Sequence, residues 1–127
     1  MTNHKVKCAN FEIANNKSFT LIAGPCQLES EQHALDISKE LKKITSDLRI
    51  NLIYKTSFDK ANRTSIKGQR GMGLEKSLSI FDKIRNEVGV PVLTDVHTAE
   101  QCSIVAQHVD VLQIPAFLCR QTDLLIA

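Results

Sequence analysis

The sequence predicts an α/β fold in which a parallel sheet is covered by helices, and three observations lead to this prediction. Four short apolar runs are typical of buried strands, at 19–23, 51–55, 90–96 and 110–114. The segments between them carry apolar residues at spacings of three and four, as amphipathic helices do. Glycine or proline stands near the ends of most runs. Strands that alternate with helices in this way form parallel sheets, here as one domain over residues 1–127.

The first part of the chain predicts a hairpin, a strand and a helix. Residues 5–18 alternate weakly in polarity and are expected to form a short β-hairpin. The run 19–23 is closed by Gly24-Pro25, a strong signal for a turn. Ser30 is a suitable helix N-cap. The expected apolar face of that helix consists of Ala34, Ile37, Leu41, Ile44 and Leu48.

The remaining helices are predicted from their ends. A second helix has an expected apolar side made of Leu74, Leu78, Phe81, Ile84 and Val88. Gly89 is expected just beyond its end, with Pro91 shortly after. Thr98 and Gln101 form a Thr-x-x-Gln capping box for a short third helix. A fourth helix is expected to open at Arg120.

Charge and composition argue against nucleic-acid and membrane proteins. The 127 residues carry a formal net charge of +2 and only 5% aromatic residues, so no basic surface or stacking platform for nucleic acid is expected. No apolar run approaches the roughly 20 residues that cross a bilayer. The first residues lack the apolar core of a signal peptide. A cytoplasmic location is therefore expected.

The cysteines do not form a recognisable framework. They stand at positions 8, 26, 102 and 119, and no two form a Cys-x-x-Cys pair. This spacing argues against a zinc knuckle, a thioredoxin-type motif and a secreted disulfide framework. Cys102 lies in a helical pattern and is expected in the core. Cys26, taken alone, is more typical of a buried thiol than of a metal ligand.

A basic loop follows the second predicted strand. Lys55, Lys60 and Arg63 stand there among small hydroxyl and amide residues. Arginine offers a bidentate contact to phosphate or carboxylate, lysine a point charge, and serine or threonine a hydroxyl donor. The loop therefore suits an anionic small molecule, although an ordinary solvated loop can have the same composition.

Polar groups follow all four predicted strands, where ligands of parallel α/β folds bind. They are Cys26 and Glu29, then Lys55, Lys60, Asn62 and Arg63, then Asp95 and His97, and finally Gln113 and Arg120. Some of these residues also have an interpretation that involves no ligand, since Asp95 could cap its loop and His97 could stand at the start of a helix. Gln113 stands within an apolar run and needs a polar partner. Four strands out of four nevertheless favour a binding site.

Three longer motifs carry a family resemblance. Residues 57–65 read Ser-Phe-Asp-Lys-Ala-Asn-Arg-Thr-Ser, residues 94–97 read Thr-Asp-Val-His, and residues 113–123 read Gln-Ile-Pro-Ala-Phe-Leu-Cys-Arg-Gln-Thr-Asp. With these motifs the chain resembles the 3-deoxy-D-manno-octulosonate 8-phosphate synthase family from residue 19 to its last residue, and weakly in the hairpin. The related 3-deoxy-D-arabino-heptulosonate 7-phosphate synthases typically have Lys-Pro-Arg-Thr-Ser where this chain has Lys-Ala-Asn-Arg-Thr-Ser, which favours the octulosonate family.

The resemblance implies a fold and a reaction. The fold would be the N-terminal half of a (β/α)8 TIM barrel, with a β-hairpin at 5–18 and barrel units at 19–127. The reaction would join phosphoenolpyruvate to D-arabinose 5-phosphate and release phosphate, on the route to the KDO sugar of lipopolysaccharide. The implied catalytic residues are Asp95, Lys60 and Asn62. The implied substrate contacts are Lys55, Lys60 and Gln113 for phosphoenolpyruvate, and Asn62, Arg63, Thr64, Arg120 and Gln121 for arabinose 5-phosphate.

The resemblance also implies partners that this chain does not supply by itself. Arg120 and Gln121 would reach a neighbouring subunit of a homotetramer. Cys26 matches the metal-dependent branch of the family, so a divalent metal is implied, with its remaining ligands beyond residue 127. A TIM barrel needs about 250 residues, so the chain alone is expected to be inactive. Two alternatives stay open: a fragment of a heptulosonate 7-phosphate synthase-like aldolase, and a non-catalytic half-barrel that pairs with itself or a partner chain.

Overall fold

The computed structural model describes residues 3–60 and 71–127. The strands in these ranges are β1 (Val6–Cys8), β2 (Phe11–Ile13), β3 (Thr20–Ala23), β4 (Asn51–Lys55), β5 (Val92–Asp95) and β6 (Val111–Gln113). The helices are α1 (Glu31–Asp47), α2 (Leu74–Lys83), α3 (Ala99–Val105) and α4 (Thr122–Ile126), with a π-helical turn at Ile84–Val88 and a 3-10 turn at Ala116–Leu118.

Strands β3, β4, β5 and β6 form one parallel sheet in the order of the sequence. A helix lies between each strand and the next along the chain, which confirms the predicted alternation. Because all four strands run in the same direction, their carboxyl ends lie along one edge of the sheet. The residues that follow each strand are thereby brought to a common edge.

Apolar clusters lie on both faces of this sheet. The larger cluster packs against the helices and includes Leu52 and Tyr54 of β4. The smaller cluster lies on the other face, since successive strand residues point in opposite directions. It contains Ile53, Leu93 and the buried Cys8 of the antiparallel β1–β2 pair, which covers this face. Burial raises the pKa of the Cys8 thiol.

The predicted helix ends are confirmed at three places. Ser30 caps α1, because its Oγ accepts a hydrogen bond from the His33 N–H at 3.2 Å. Gly89 ends the π-helical turn that extends α2, in the left-handed conformation with φ 72°. The capping box at the start of α3 is present, with the Thr98 N–H 3.4 Å from Gln101 Oε1.

The predicted apolar face of α1 is wrong in its second half. Ile44 and Leu48 are 45% and 63% exposed. Two hydroxyl residues, Ser38 and Thr45, are buried instead, together with Ala34 and Leu35. Both hydroxyls donate to carbonyl oxygens of the preceding helical turn, at 3.0 Å and 2.8 Å, so their burial leaves no donor unsatisfied. Hydropathy alone does not reveal this internal pairing.

The strands are shorter than the apolar runs that predicted them. The run 90–96 contains a ladder only at Val92–Asp95, and the run 110–114 only at Val111–Gln113. Apolar composition reports burial, whereas a ladder also requires a paired neighbour. The fourth helix begins at Thr122 rather than Arg120, after the 3-10 turn. No helix within the described ranges is long and apolar enough to span a bilayer.

Candidate active site

Three of the predicted site residues lie on one face of the sheet at its carboxyl edge. Lys55 pairs in register with Leu93, and Asp95 pairs with Gln113 on the neighbouring strand. Asp95 is two residues after Leu93, so Lys55, Asp95 and Gln113 point to the same side. This is the side on which Ile53 and Leu93 form the smaller apolar cluster. This face of the sheet therefore carries the smaller apolar cluster, and at its carboxyl edge the side chains of Lys55, Asp95 and Gln113 form what we call the polar rim.

Asp95 and His97 form a buried pair at this rim. Asp95 Oδ2 lies 3.0 Å from His97 Nε2, and both side chains are only 9% exposed. Asp95 therefore pairs with a side chain rather than capping its loop. The other two polar atoms, Asp95 Oδ1 and His97 Nδ1, are buried and have no hydrogen-bond partner among the residues that the structure describes. Buried polar atoms without partners are costly, and here they offer hydrogen-bonding capacity to a ligand.

His97 is held through its backbone as well as its ring. Its N–H donates to Gln101 Oε1 at 2.8 Å, so the residue also belongs to the capping network of α3. The expected position of His97 at the entry to a helix is thus confirmed, whereas its role in a binding site stays a prediction.

Lys60 is tethered to the end of β4. Its Nζ donates to Ser57 Oγ at 2.7 Å, and Ser57 is almost completely buried. Ser57 is itself fixed, because its carbonyl oxygen accepts from the Leu28 N–H at 2.8 Å. This contact uses one of the three ammonium donors of Lys60.

Phe58 closes the base of the basic loop. Its carbonyl oxygen accepts a hydrogen bond from the Gly73 N–H at 3.1 Å, which joins the two ends of the segment between them. Its ring packs edge-on against the His97 ring, with centroids 5.6 Å apart and planes at 72°. The predicted contacts Asn62, Arg63 and Thr64 lie outside the described residues.

Cys26 is exposed in the turn after β3, so the expectation of a buried thiol is wrong. An accessible thiol suits a metal ligand, but one donor is not a site, since such metals take three or four. Residues 3–60 and 71–127 contain no group of three or more His, Cys, Asp or Glu side chains that could hold a metal ion. The metal therefore stays a prediction.

Two further predicted residues lie on the surface after β6. Arg120 and Gln121 are exposed where α4 begins, and their contact with a neighbouring subunit stays a prediction.

Gln113 is half-buried, and its backbone carbonyl accepts from the Val96 N–H at 3.1 Å.

Sequence reasoning missed the residues that support the site rather than face it. Ser57 and Phe58 begin the motif at residues 57–65, but they carry no charge and follow a strand, so their residue types alone do not distinguish them from ordinary core residues. The Gly24-Pro25 pair predicted a turn, but it did not show why this position requires glycine. A Cβ at this position would stand 1.9 Å from the carbonyl oxygen of Lys55, so only glycine allows β3 and β4 to approach this closely here.

Comparison with known proteins gives this arrangement a family. The sequence profile of the DAHP synthetase I family matches residues 3–127. The chain belongs to the DAHP synthetase I family. It is 60% identical to a Brucella anthropi protein and 59% identical to proteins of Mesorhizobium japonicum and Brucella ovis, each over 125 residues and 98% of this chain. All three relatives are named 2-dehydro-3-deoxyphosphooctonate aldolase. The resemblance to the octulosonate synthases is thereby confirmed.

The matched region is less than half of each relative. It amounts to 45% of their length, so the chain spans about half the length of the curated relatives it matches. The matched half includes the sheet edge that carries Lys55, Asp95 and Gln113.

Proposed function

We propose that this chain supplies one half of the active site of a 3-deoxy-D-manno-octulosonate 8-phosphate synthase. The observation that carries the proposal is the convergence of Lys55, Asp95 and Gln113 on one face of the sheet at its carboxyl edge. Lys60, tethered to Ser57, adds a second positive charge after the same strand as Lys55. The names of the relatives support the same reaction.

The proposed reaction joins two anions. C3 of phosphoenolpyruvate forms a carbon–carbon bond with the aldehyde carbon of D-arabinose 5-phosphate, and the aldehyde oxygen takes up a proton. Water adds at C2 of phosphoenolpyruvate and inorganic phosphate leaves. Both substrates are negatively charged, so fixed positive charge reduces their repulsion, and alignment lowers the barrier to their meeting.

Lys55, Lys60 and Gln113 are the proposed phosphoenolpyruvate contacts. Lys55 stands at the last position of β4, and the tether from Ser57 restricts the position of the Lys60 ammonium. A restricted ammonium loses less conformational entropy when an anion binds. Gln113, in register with Asp95, offers an amide beside the two charges.

Asp95 is the proposed contact to the reacting end of the sugar. Its Oδ2 is engaged by His97, whereas its buried Oδ1 has no partner in the described part of the chain. That oxygen can accept a hydrogen bond from a sugar hydroxyl next to the aldehyde and thereby orient the carbonyl.

The remaining predicted contacts complete the proposal. Asn62, Arg63 and Thr64 would bind arabinose 5-phosphate, with Asn62 and Lys60 also close to the reacting atoms. Arg120 and Gln121 would contribute to the phosphate site of a neighbouring subunit in a homotetramer. Cys26 would be one ligand of a divalent metal completed outside this chain. The expected location is the cytoplasm.

The proposed fold is the N-terminal half of a (β/α)8 barrel. In the described ranges, β3 and β6 are the outer strands of the sheet, and exposed apolar side chains lie near both. They include Phe19 and Ile22 at one side, and Phe117 and Ile126 at the other. Unpaired strands beside apolar surface favour association with more β/α structure.

The same observation favours the second candidate, a non-catalytic half-barrel that pairs with itself or a partner. Light scattering separates the two candidates. A folded homodimer of the 127-residue chain supports self-pairing, whereas aggregation or a monomer contradicts it.

A chimera tests the enzymatic proposal. The chain replaces the 125 matched residues of the Brucella anthropi relative, and phosphate release is measured with both substrates and a divalent metal. We expect turnover with arabinose 5-phosphate in the chimera, and none from the 127-residue chain alone. A preference for erythrose 4-phosphate would favour the heptulosonate alternative.

Two variants of the chimera test the proposed role of Lys60 in substrate binding. We expect Lys60→Met to lower kcat/KM by about 10- to 100-fold, because hydrogen bonds to charged groups are worth about 1.5–3 kcal/mol. Lys43→Met, which alters an exposed lysine of α1, is the matched control and should leave kcat/KM unchanged. Equal rates for the two variants would contradict the proposed site.

A further inference from the structure

Phe58 links the buried pair at the sheet edge to the end of β4. The residue is almost completely buried, and its ring packs against the main apolar cluster as well as against His97. Its backbone is fixed by the bond from Gly73 to its carbonyl oxygen. The backbone hydrogen bond and the packing of the ring together restrict the position of Phe58, which can therefore support the His97 ring that packs on it.

The hydrogen bonds of His97 in residues 3–60 and 71–127 restrain its backbone more than the rotation of its ring. Among the described residues its Nε2 contacts Asp95 and its Nδ1 has no hydrogen-bond partner. The bond from Gln101 fixes the backbone of His97 but not the rotation of its ring. Two contacts to the imidazole itself are present in the described part of the chain, one to the Asp95 carboxylate and one to the Phe58 ring.

We propose that Phe58 is a positioning residue that sets the orientation of His97 and, through it, of the Asp95 carboxylate. Edge-to-face aromatic pairs prefer a defined angle, which an aliphatic side chain of similar size does not impose. With the Phe58 ring in place, His97 Nε2 meets Asp95 Oδ2, and Asp95 Oδ1 stays available at the polar rim. Phe58 itself touches no reacting atom.

This inference rests on the proposed function for its catalytic consequence only. The geometric part concerns three side chains of this chain and can be measured without turnover. The sequence contains four histidines, which nuclear magnetic resonance of the imidazole nitrogens can resolve. His108, which pairs with Asp82 at 2.7 Å, serves as an internal reference.

The test compares Phe58→Leu with Phe81→Leu in the 127-residue chain. Phe81 is fully buried in the same apolar cluster, so its replacement removes a comparable ring from the core. We expect Phe58→Leu to shift the nitrogen resonances of His97 and to leave those of His108 in place. Phe81→Leu should shift neither. Should Phe58→Leu fail to fold, Phe58→Met repeats the test with an unbranched side chain.

Kinetics in the chimera test the consequence. We expect Phe58→Leu to lower kcat by about two- to tenfold, the range that an edge-to-face pair accounts for, with the KM for phosphoenolpyruvate unchanged. Phe81→Leu should leave kcat unchanged. Unshifted His97 resonances in Phe58→Leu, or shifts of the same size in Phe81→Leu, would overturn the positioning role. An inactive chimera with the parent sequence would instead count against the proposed function, and the resonances would still decide the role of Phe58.

Discussion

Gly24→Ala is expected to force apart the ends of β3 and β4. An added Cβ would stand 1.9 Å from the carbonyl oxygen of Lys55 and 2.8 Å from its carbonyl carbon. Cβ atoms are not found within about 3 Å of such atoms in close-packed interiors, so the two strand ends must separate by about 1 Å. The obstacle is backbone, which cannot rotate out of the way as a side chain can.

The expected loss of stability follows from this contact. Overpacking costs about 1–3 kcal/mol and more where the neighbours cannot yield, so we expect a loss of about 3 kcal/mol. For a domain of this size that lowers Tm by about 10 °C. The Leu28–Ser57 hydrogen bond lies just beyond the displaced contact and should weaken with it.

Thermal unfolding followed by circular dichroism measures the effect, with Gly73→Ala as the control. A Cβ at Gly73 meets no atom within 4 Å in the described structure, but its φ of 82° is strained for alanine. That variant should lose only about 1 kcal/mol. A Tm for Gly24→Ala equal to that of the parent, or above that of Gly73→Ala, would refute the steric argument. In the chimera, a 1 Å displacement of Lys55 should lower kcat/KM by about 100-fold.

Three further predictions concern polar groups that are buried or partly buried. Burial raises the pKa of Tyr54, so the folded state favours the neutral phenol. The free energy of unfolding is therefore unaffected by this group below pH about 10 and decreases as the pH rises further. Tyr54→Phe should therefore resist alkaline unfolding better than the parent, whose single tyrosine can be followed by its absorbance, and equal alkaline stability would contradict this. Asp110→Ala should cost about 1–3 kcal/mol in urea unfolding, because Asp110 Oδ2 accepts from the Val92 N–H at 2.9 Å; a loss below the error of the measurement would count against it. Ser57→Ala should raise the KM for phosphoenolpyruvate a few-fold in the chimera by releasing Lys60, and an unchanged KM would show that the tether is dispensable.

The order of elements was predictable because local chemistry determines it. Ser30 caps α1 with its own hydroxyl, and Gly89 ends the α2 extension since glycine tolerates a positive φ. The capping box of Thr98 and Gln101 likewise involves neighbours in sequence. These signals act within a few residues, so no knowledge of the rest of the fold is needed to interpret them.

The errors arose where burial is set by packing that residue type and spacing do not show. Ile44 and Leu48 continue the apolar spacing of α1 but are exposed, while Ser38 and Thr45 are buried and satisfy their hydroxyl donors within their own helix. Cys26 was expected to be buried and is exposed, because its environment is set by the turn after β3. Spacing along a helix identifies possible faces, and packing selects one.

The sequence by itself determined the parallel alternation, three of the helix ends and the polar residues that follow each strand. Strand direction and alternation then place Lys55, Asp95 and Gln113 on a common edge, which follows from β geometry once the elements are known. Only the tertiary structure decided that Asp95 pairs with His97, that Ser57 tethers Lys60, and that Phe58 packs edge-on against His97. These contacts depend on ring angles and distances of a few ångströms, which the packing of the whole sheet sets and no short pattern encodes.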